Sequence, residues 1–196
     1  IDMATGAYNV TVTGREAQPV ADNDPFASMG KLGGLLGLVD ANVLDVIKLE
    51  KDQLFTASDL DNDLQSIELS YNALVGLGGG KFAYDTKLAA ELGIDVVEVS
   101  YSPLLLAHHT IRIEATNDGT LDNWKLNEFL GTLTLGGGLL AVDLASTFSI
   151  KATDAQGNLV QINDFTLADV AVGGGVIGTG LPAQFISGSD TAETLS

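Results

Sequence analysis

Between two apolar, strand-like stretches lies Asp59-Leu60-Asp61-Asn62-Asp63-Leu64, with carboxylates at three alternate positions. Charges this close repel one another at neutral pH, so such a segment cannot thread an apolar core. It has to form a loop whose charges are screened by water or neutralised by a cation. Hard divalent cations take several oxygen ligands, and alternate aspartates along a loop supply them. A second acidic cluster, Asp22-Asn23-Asp24-Pro25, stands upstream. The expectation is a β-domain whose turns carry acidic clusters, with calcium (Ca2+) as the cofactor. The loop is not an EF-hand: Leu64 stands where the sixth position needs Gly, and Glu68 falls short of the twelfth.

Composition removes several function classes. The chain has 196 residues and a formal net charge of -17, from 26 acidic and nine basic residues. Nucleic-acid binding depends on clustered Lys and Arg, so no nucleic-acid partner is expected. Attraction to anionic membranes is excluded on the same ground. The longest apolar runs, such as Leu32 to Val39, are interrupted by Gly and too short to span a bilayer, so no membrane insertion is expected. The chain has no cysteine, hence no disulfides and no thiolate metal site. A hydrophobic content of 45% is enough to bury a core in one large β-domain. Ile1 to Gly6 has neither the basic region nor the apolar core of a leader peptide, and both ends read as cut from a longer chain.

Strand periodicity runs along most of the sequence. Tyr8 to Thr13 alternates and closes on Gly14, and Gln18 to Pro25, with two prolines, reads as a linker. Strands are expected over Val46 to Ala57, Ser66 to Tyr71, Ile94 to Tyr101, Thr110 to Thr116, Thr132 to Leu135, Ser146 to Thr153, Val160 to Ile162 and Asp169 to Val172. Two short helices interrupt them. Asp85 can cap Thr86 to Leu92 with Gly93 as the stop, and Thr120 or Asp122 can cap Asn123 to Leu130 with Gly131 after it. A third helix is expected from Asp40 through Ala41 to Val46. The fold class is mainly β: an Ig-like or cadherin-like β-sandwich with short helical insertions. Residues 1–20 read as the terminal strand of a preceding module or a linker, 21–185 as the sandwich, and 186–196 as a tail.

Other motifs carry less. Asp154-x-x-Gly157-Asn158-Leu159 echoes the Asp59 loop and fits a hairpin turn with positive φ at Asn or Gly. Gly173-x-Gly175-x-x-Gly178 matches a dinucleotide fingerprint only formally, because Gly180 and Pro182 preclude the helix it needs. Gly80-Lys81 resembles a phosphate loop, but Phe82 replaces the Ser or Thr. The neighbouring His108 and His109 would face opposite sides of a strand, so they cannot easily share an ion. Trp124, beside Leu126 and Phe129, reads as a core anchor. No serine sits in a nucleophile elbow, and no catalytic constellation is found, so an enzyme is not expected.

Gln18-Pro19-Val20-Ala21-Asp22-Asn23-Asp24-Pro25-Phe26 resembles the Pro-Val-Ala-x-x-Asp junction between tandem Ig-like or cadherin-like modules of giant bacterial adhesins. Thr5 to Val12 before it resembles the last strand of such a module. Leu35 to Asp40, Phe55 to Asp59, Glu91 to Gly93, Leu121 to Glu128 and Ala152 to Asp154 resemble a module near the C-terminus of Bap-type biofilm adhesins. Ile186 to Leu195 is similar to the entry into RTX calcium repeats, although the full Gly-Gly-x-Gly-x-Asp units are absent. The resemblance implies a type I secreted, calcium-dependent adhesin at the bacterial cell surface, acting in biofilm formation. Its partners would be neighbouring modules of the same adhesin, or a surface glycan or peptide.

Two placements of calcium are open at the level of sequence. A junction site would use Asp22 and Asp24 with Asp61 or Asp63. An internal site would use Asp59, Asp61 and Asp63. Asp118, Asp122 and Asp154 are further candidate ligands. In either placement the ion would order the chain at millimolar concentrations outside the cell, where modules of this kind bind at about 10⁻⁴–10⁻³ M. The module would then serve as a structural spacer or as a binder of sugar or peptide.

Overall fold

The computed structural model describes residues 22–30, 46–48, 54–73, 80–103, 107–136, 146–166, 175–178 and 180. Chain order runs β1 (Phe26–Gly30), β2 (Val46–Lys48), β3 (Phe55–Ser58), β4 (Leu64–Asn72), β5 (Lys81–Ala83), α1 (Thr86–Leu92), β6 (Ile94–Ser102) and β7 (His108–Ala115). A short 3₁₀ turn (Thr116–Asp118), α2 (Asn123–Leu130), β8 (Thr134–Gly136), β9 (Thr147–Asp154), β10 (Leu159–Thr166) and β11 (Gly175–Ile177) follow. The protein is mainly β. All the strand pairs among these residues are antiparallel, in a five-stranded sheet ordered β10-β9-β4-β7-β6 and two three-stranded sheets, β11-β1-β3 and β2-β8-β5.

Period-two burial builds the large sheet. Ile67, Leu69 and Tyr71 of β4, His109, Ile111 and Ile113 of β7, and Phe148, Ile150 and Ala152 of β9 all turn to the core. Their register places Ile113, Ile67, Ala152 and Val160 in one cross-strand row, and Ile111, Leu69, Ile150 and Ile162 in the next. The opposite face carries Ser66, Glu68, Ser70, Thr110, Arg112, Lys151 and Thr153, which explains the alternation in the sequence.

Aromatic rings tie the three sheets together. Phe55 of β3 meets Phe82 of β5 and Phe148 of β9 edge-on, each at 6.1 Å between ring centroids. Tyr71 packs on Phe148 at 5.5 Å. Strand β1 also lies against β9 and β10, which brings the residues just before it to one end of the large sheet.

The histidines part as expected. His109 is buried, and its Nδ1 accepts the Phe82 N–H at 2.8 Å, so β5 is stitched to β7 through a side chain. Its Nε2 therefore carries the proton and faces Glu98 Oε2 at 3.3 Å. Burial pushes the His109 pKa below its ordinary value, partly offset by Glu98. Glu98, half-exposed on the edge strand β6, pairs with Lys81 at 2.6 Å, which holds its carboxyl below the usual range. A charge on an edge strand discourages pairing with another chain.

Both helices begin where their caps predict. Asp85 Oδ1 accepts the N–H groups of Lys87 and Leu88, and Gly93 ends α1 in the left-handed region at φ 72°. Asp122, not Thr120, caps α2. Gly131 ends α2 with φ -65°, a conformation open to any residue, so its glycine is not required by the backbone.

Several expectations change. The stretch Val46 to Ala57 is not one strand: Val46–Lys48 and Phe55–Ser58 belong to different sheets. Val46 is in a strand, not a helix, and 40–45 lie outside the described residues. Phe26–Gly30, read as following a linker, is a strand pairing with both β3 and β11. Trp124 is 51% exposed, because Leu126, Phe129 and Leu130 occupy the buried face of α2 and position 124 points away from it. The strands expected at Tyr8 to Thr13 and Asp169 to Val172 lie outside the described residues, as does the tail from 186.

Candidate metal centre

The aspartate loop crosses from β3 in one sheet to β4 in another, and its path is held by backbone and amide hydrogen bonds. The Asp59 carboxylate folds over the loop, and its Oδ1 accepts the Asp61 N–H at 2.7 Å. The Asp59 carbonyl accepts the Asn62 N–H at 3.1 Å, and Asn62 takes the left-handed region at φ 57°, which Asn tolerates better than most residues. Asn123, the first residue of α2, clamps Asp59 from behind. Its Oδ1 accepts the Asp59 N–H at 2.8 Å and its Nδ2 donates to the Asp59 carbonyl at 2.5 Å. Asn62 Oδ1 in turn accepts the Asn123 N–H at 2.8 Å.

A second turn closes the site. Asp154 ends the buried row Phe148, Ile150, Ala152, so strand periodicity alone carries its carboxylate inward. Its Oδ1 accepts from the N–H groups of Gln156 and Asn158, and Gly157 supplies the positive φ of 90° expected for this turn. The Ala155 N–H donates to the Asp63 carbonyl at 3.0 Å, which docks this turn on the aspartate loop.

The segment entering β1 completes it. Asn158 Nδ2 donates both to Asp154 Oδ2, at 2.9 Å, and to Asp22 Oδ2. The Asn23 N–H donates to Asp61 Oδ2 at 2.8 Å, and its side-chain amide reaches the same carboxylate. The junction cluster and the internal loop, alternatives at the level of sequence, therefore meet in one place. Asp22, Asp59, Asp61, Asp63 and Asp154 form one acidic end of the domain.

Electrostatics marks Asp59 as the strained member. It has no solvent exposure, as has Asp154, and its Oδ2 has no hydrogen-bond partner. Asp63 Oδ1 is likewise buried without a partner. Burial pushes the Asp59 pKa up to about 6, with repulsion from Asp63, Asp61 and Asp154 adding to it and the Asp61 N–H offsetting part. Asp22 is raised too, by desolvation and by Asp154, Asp63 and Asp61, against the Asn158 hydrogen bond. No group of three or more His, Asp or Glu side chains among the described residues is already arranged to hold a metal ion.

The remaining candidates sit elsewhere. Asp24 is exposed, and its carbonyl packs against Gly180. Asp122 Oδ1 caps α2 through the Lys125 N–H, and its Oδ2 lies 3.4 Å from Asn62 Nδ2 at the back of the loop. Asp118 belongs to a cleft on the outer face of the large sheet. Asn23, Asn123 and Asn158 are not among the candidate site residues of the sequence, where they stand only in the acidic cluster, at a helix start and in the echoed turn, yet they hold these aspartates in place.

A pH dependence follows from Asp59. Its ordinary carboxyl value is 3.8 and its folded value about 6, so between them the folded chain holds a proton the unfolded chain has released. This contribution to stability is full below the lower value and is lost as pH rises through the upper one, amounting to roughly 3 kcal/mol. His109, lowered from 6.5, acts in the opposite sense over part of this window. Chemical denaturation of metal-free native protein and D59N from about pH 5 to 7 separates the two. The stability difference should shift steadily in favour of D59N as pH rises, and a pH-independent difference refutes the assignment.

Comparison with known proteins finds no matching family model, no matching curated protein and no matching solved structure.

Proposed function

We propose that this chain is a calcium-stabilised module of a large bacterial surface adhesin, outside the cell, with a structural and projecting role in adhesion and biofilm formation. One observation carries the calcium reading: Asp59 is wholly buried with a bare carboxylate oxygen, and Asp61, Asp63 and Asp154 repel its charge. A charge in that setting is costly unless a cation neutralises it. Asp59 and Asp63 would supply the first oxygens, with Asp61, Asp154 and Asp22 completing the set. Such an all-oxygen donor set suits calcium, which accepts six to eight oxygens in flexible geometry.

The projecting role rests on the sequence resemblance and on where the site lies. Asp22 and Asn23 belong to the segment entering β1, so an ion here would fix the direction in which preceding chain leaves the domain. Its partners would be the neighbouring modules. The contact of β1 with β9 and β10 supports an Ig-like or cadherin-like β-sandwich, with α1 and α2 as its helical insertions.

Thermal unfolding in millimolar calcium and then in excess EDTA tests this reading. Calcium should stabilise the fold by about 1–3 kcal/mol at tenfold to hundredfold excess over Kd. Trp124 follows Asn123, which grips the loop, so terbium bound in place of calcium should show tryptophan-sensitised emission that calcium displaces. A midpoint indifferent to both calcium and EDTA would falsify the proposal.

A further inference from the structure

His109 is a buried titratable group outside the acidic end, and it stands where two sheets meet. It is 1% exposed and lies on β7 of the five-stranded sheet. Strand β5 is three residues long and is the outer strand of the small sheet β2-β8-β5, so among the described residues one of its sides has no strand beside it. There the Phe82 N–H meets His109 Nδ1. We propose that His109 is an acid-sensitive latch: a proton added to its ring removes the acceptor that holds Phe82 and releases β5 from the five-stranded sheet. The inference does not rest on the metal reading, since no residue of the latch belongs to the acidic end.

The chemistry of the ring makes the contact all-or-none. A neutral imidazole has one acceptor nitrogen, and here Nδ1 gives it to Phe82. Nε2 already carries the other proton toward Glu98, so an added proton goes to Nδ1. Two N–H groups then face each other where a hydrogen bond of 2.8 Å stood. No rotation of the ring restores the contact, because an imidazolium has two donors and no acceptor. The ring is also hemmed in by Phe82 and Tyr101, at 5.5 and 5.4 Å between ring centroids. Strand β7 is paired on both sides, with β4 and β6, so the part that yields is β5.

The groups around the ring set the direction of the switch. Strand β6 presents Glu98 and Tyr101, β5 presents Lys81, β4 presents Tyr71 directly across the strand pair, and His108 precedes the ring on β7. Of these, Glu98 favours the charged ring. Its Oε2 is shared with Lys81 Nζ at 2.6 Å, and both Lys81 and His108 disfavour an imidazolium. The tyrosines stay neutral in this range. Burial outweighs Glu98, so His109 titrates below its ordinary 6.5. A group depressed in this way contributes stability that is full above 6.5 and is lost as pH falls through the folded value. The latch is therefore closed at neutral pH and opens in acid.

The test is nitrogen-15 NMR and amide hydrogen exchange of the whole chain from about pH 7 down to about pH 4. At neutral pH the imidazole nitrogen shifts should report a proton on Nε2 of His109 and none on Nδ1. As His109 titrates, the protection of the Phe82 amide, corrected for intrinsic exchange, should fall about tenfold or more, while Ile111 and Ile113 of β7 keep theirs. E98Q removes the charge that favours the imidazolium, so it should move the transition to lower pH. H109N places an amide oxygen near the position of Nδ1 and does not titrate, so Phe82 protection there should be flat with pH. D59N should respond as the native protein does, which separates the latch from the acidic end. Should H109N fail to fold, the native and E98Q titrations still decide. A proton on Nδ1 at neutral pH overturns the proposal, as does a ring that stays neutral throughout. So do Phe82 protection unchanged across the titration, a loss shared equally by Ile111 and Ile113, a native-like acid response in folded H109N, or no downward shift in E98Q.

Discussion

Asp59→Asn is expected to reverse its effect on stability when calcium is added. In the metal-free protein at neutral pH the substitution removes a buried, unpaired charge, and the domain should gain up to roughly 3 kcal/mol. Asn keeps the oxygen that accepts the Asp61 N–H, and its new amide donor faces carboxylates, so the loop retains its turn. In millimolar calcium the native protein gains the binding energy and the variant forgoes most of it, about 1–3 kcal/mol. The order of stabilities then narrows or inverts. Denaturant titrations of both proteins, with calcium and with EDTA, measure all four corners of this cycle. An equal calcium response in the two proteins excludes Asp59 as a ligand. A variant less stable than native in EDTA shows that Asp59 is not under charge strain.

Phe55→Ala should be the most damaging single change in the core. Its side chain is 1% exposed and touches rings from both other sheets, so its removal opens a cavity where three sheets meet. Large aromatic truncations of this kind cost about 3–5 kcal/mol. Phe55→Leu keeps most of the apolar volume and should cost about 1–2 kcal/mol. Equilibrium unfolding in urea checks both. A cost below about 1 kcal/mol for the alanine variant contradicts the junction described here. The loss should also reach the metal site, because Phe55 is four residues before Asp59 on the strand that delivers it.

The same strand shows how far local signals reach. Elements whose information is local were legible: the alternation of β4, β7 and β9, the Asp85 and Asp122 caps, the Gly93 stop. Each depends on residues within one turn or one strand, so the sequence contains both partners. Val46 to Ala57 misled because apolar content does not say which sheet a strand joins. Phe26–Gly30 was missed because a short strand without β-branched residues is made by its two neighbours, β3 and β11, rather than by its own propensity. Trp124 misled because one residue of helical phase separates the buried face of α2 from the exposed one.

By itself the sequence determined that the chain is mainly β, free of disulfides and strongly acidic, and that its aspartates gather near turns. Those properties follow from composition and from periods of two and a few residues. Only the tertiary structure decided that Asp22, the Asp59–Asp63 loop and Asp154 form one acidic end. Asp22 and Asn158 meet across 136 positions, and no local pattern encodes a contact of that length. Nor could the sequence single out Asp59 among 26 acids. Its burial comes from Asn123 behind it and from the two turns packed around it, and burial is what turns an ordinary carboxylate into a charge in need of a partner.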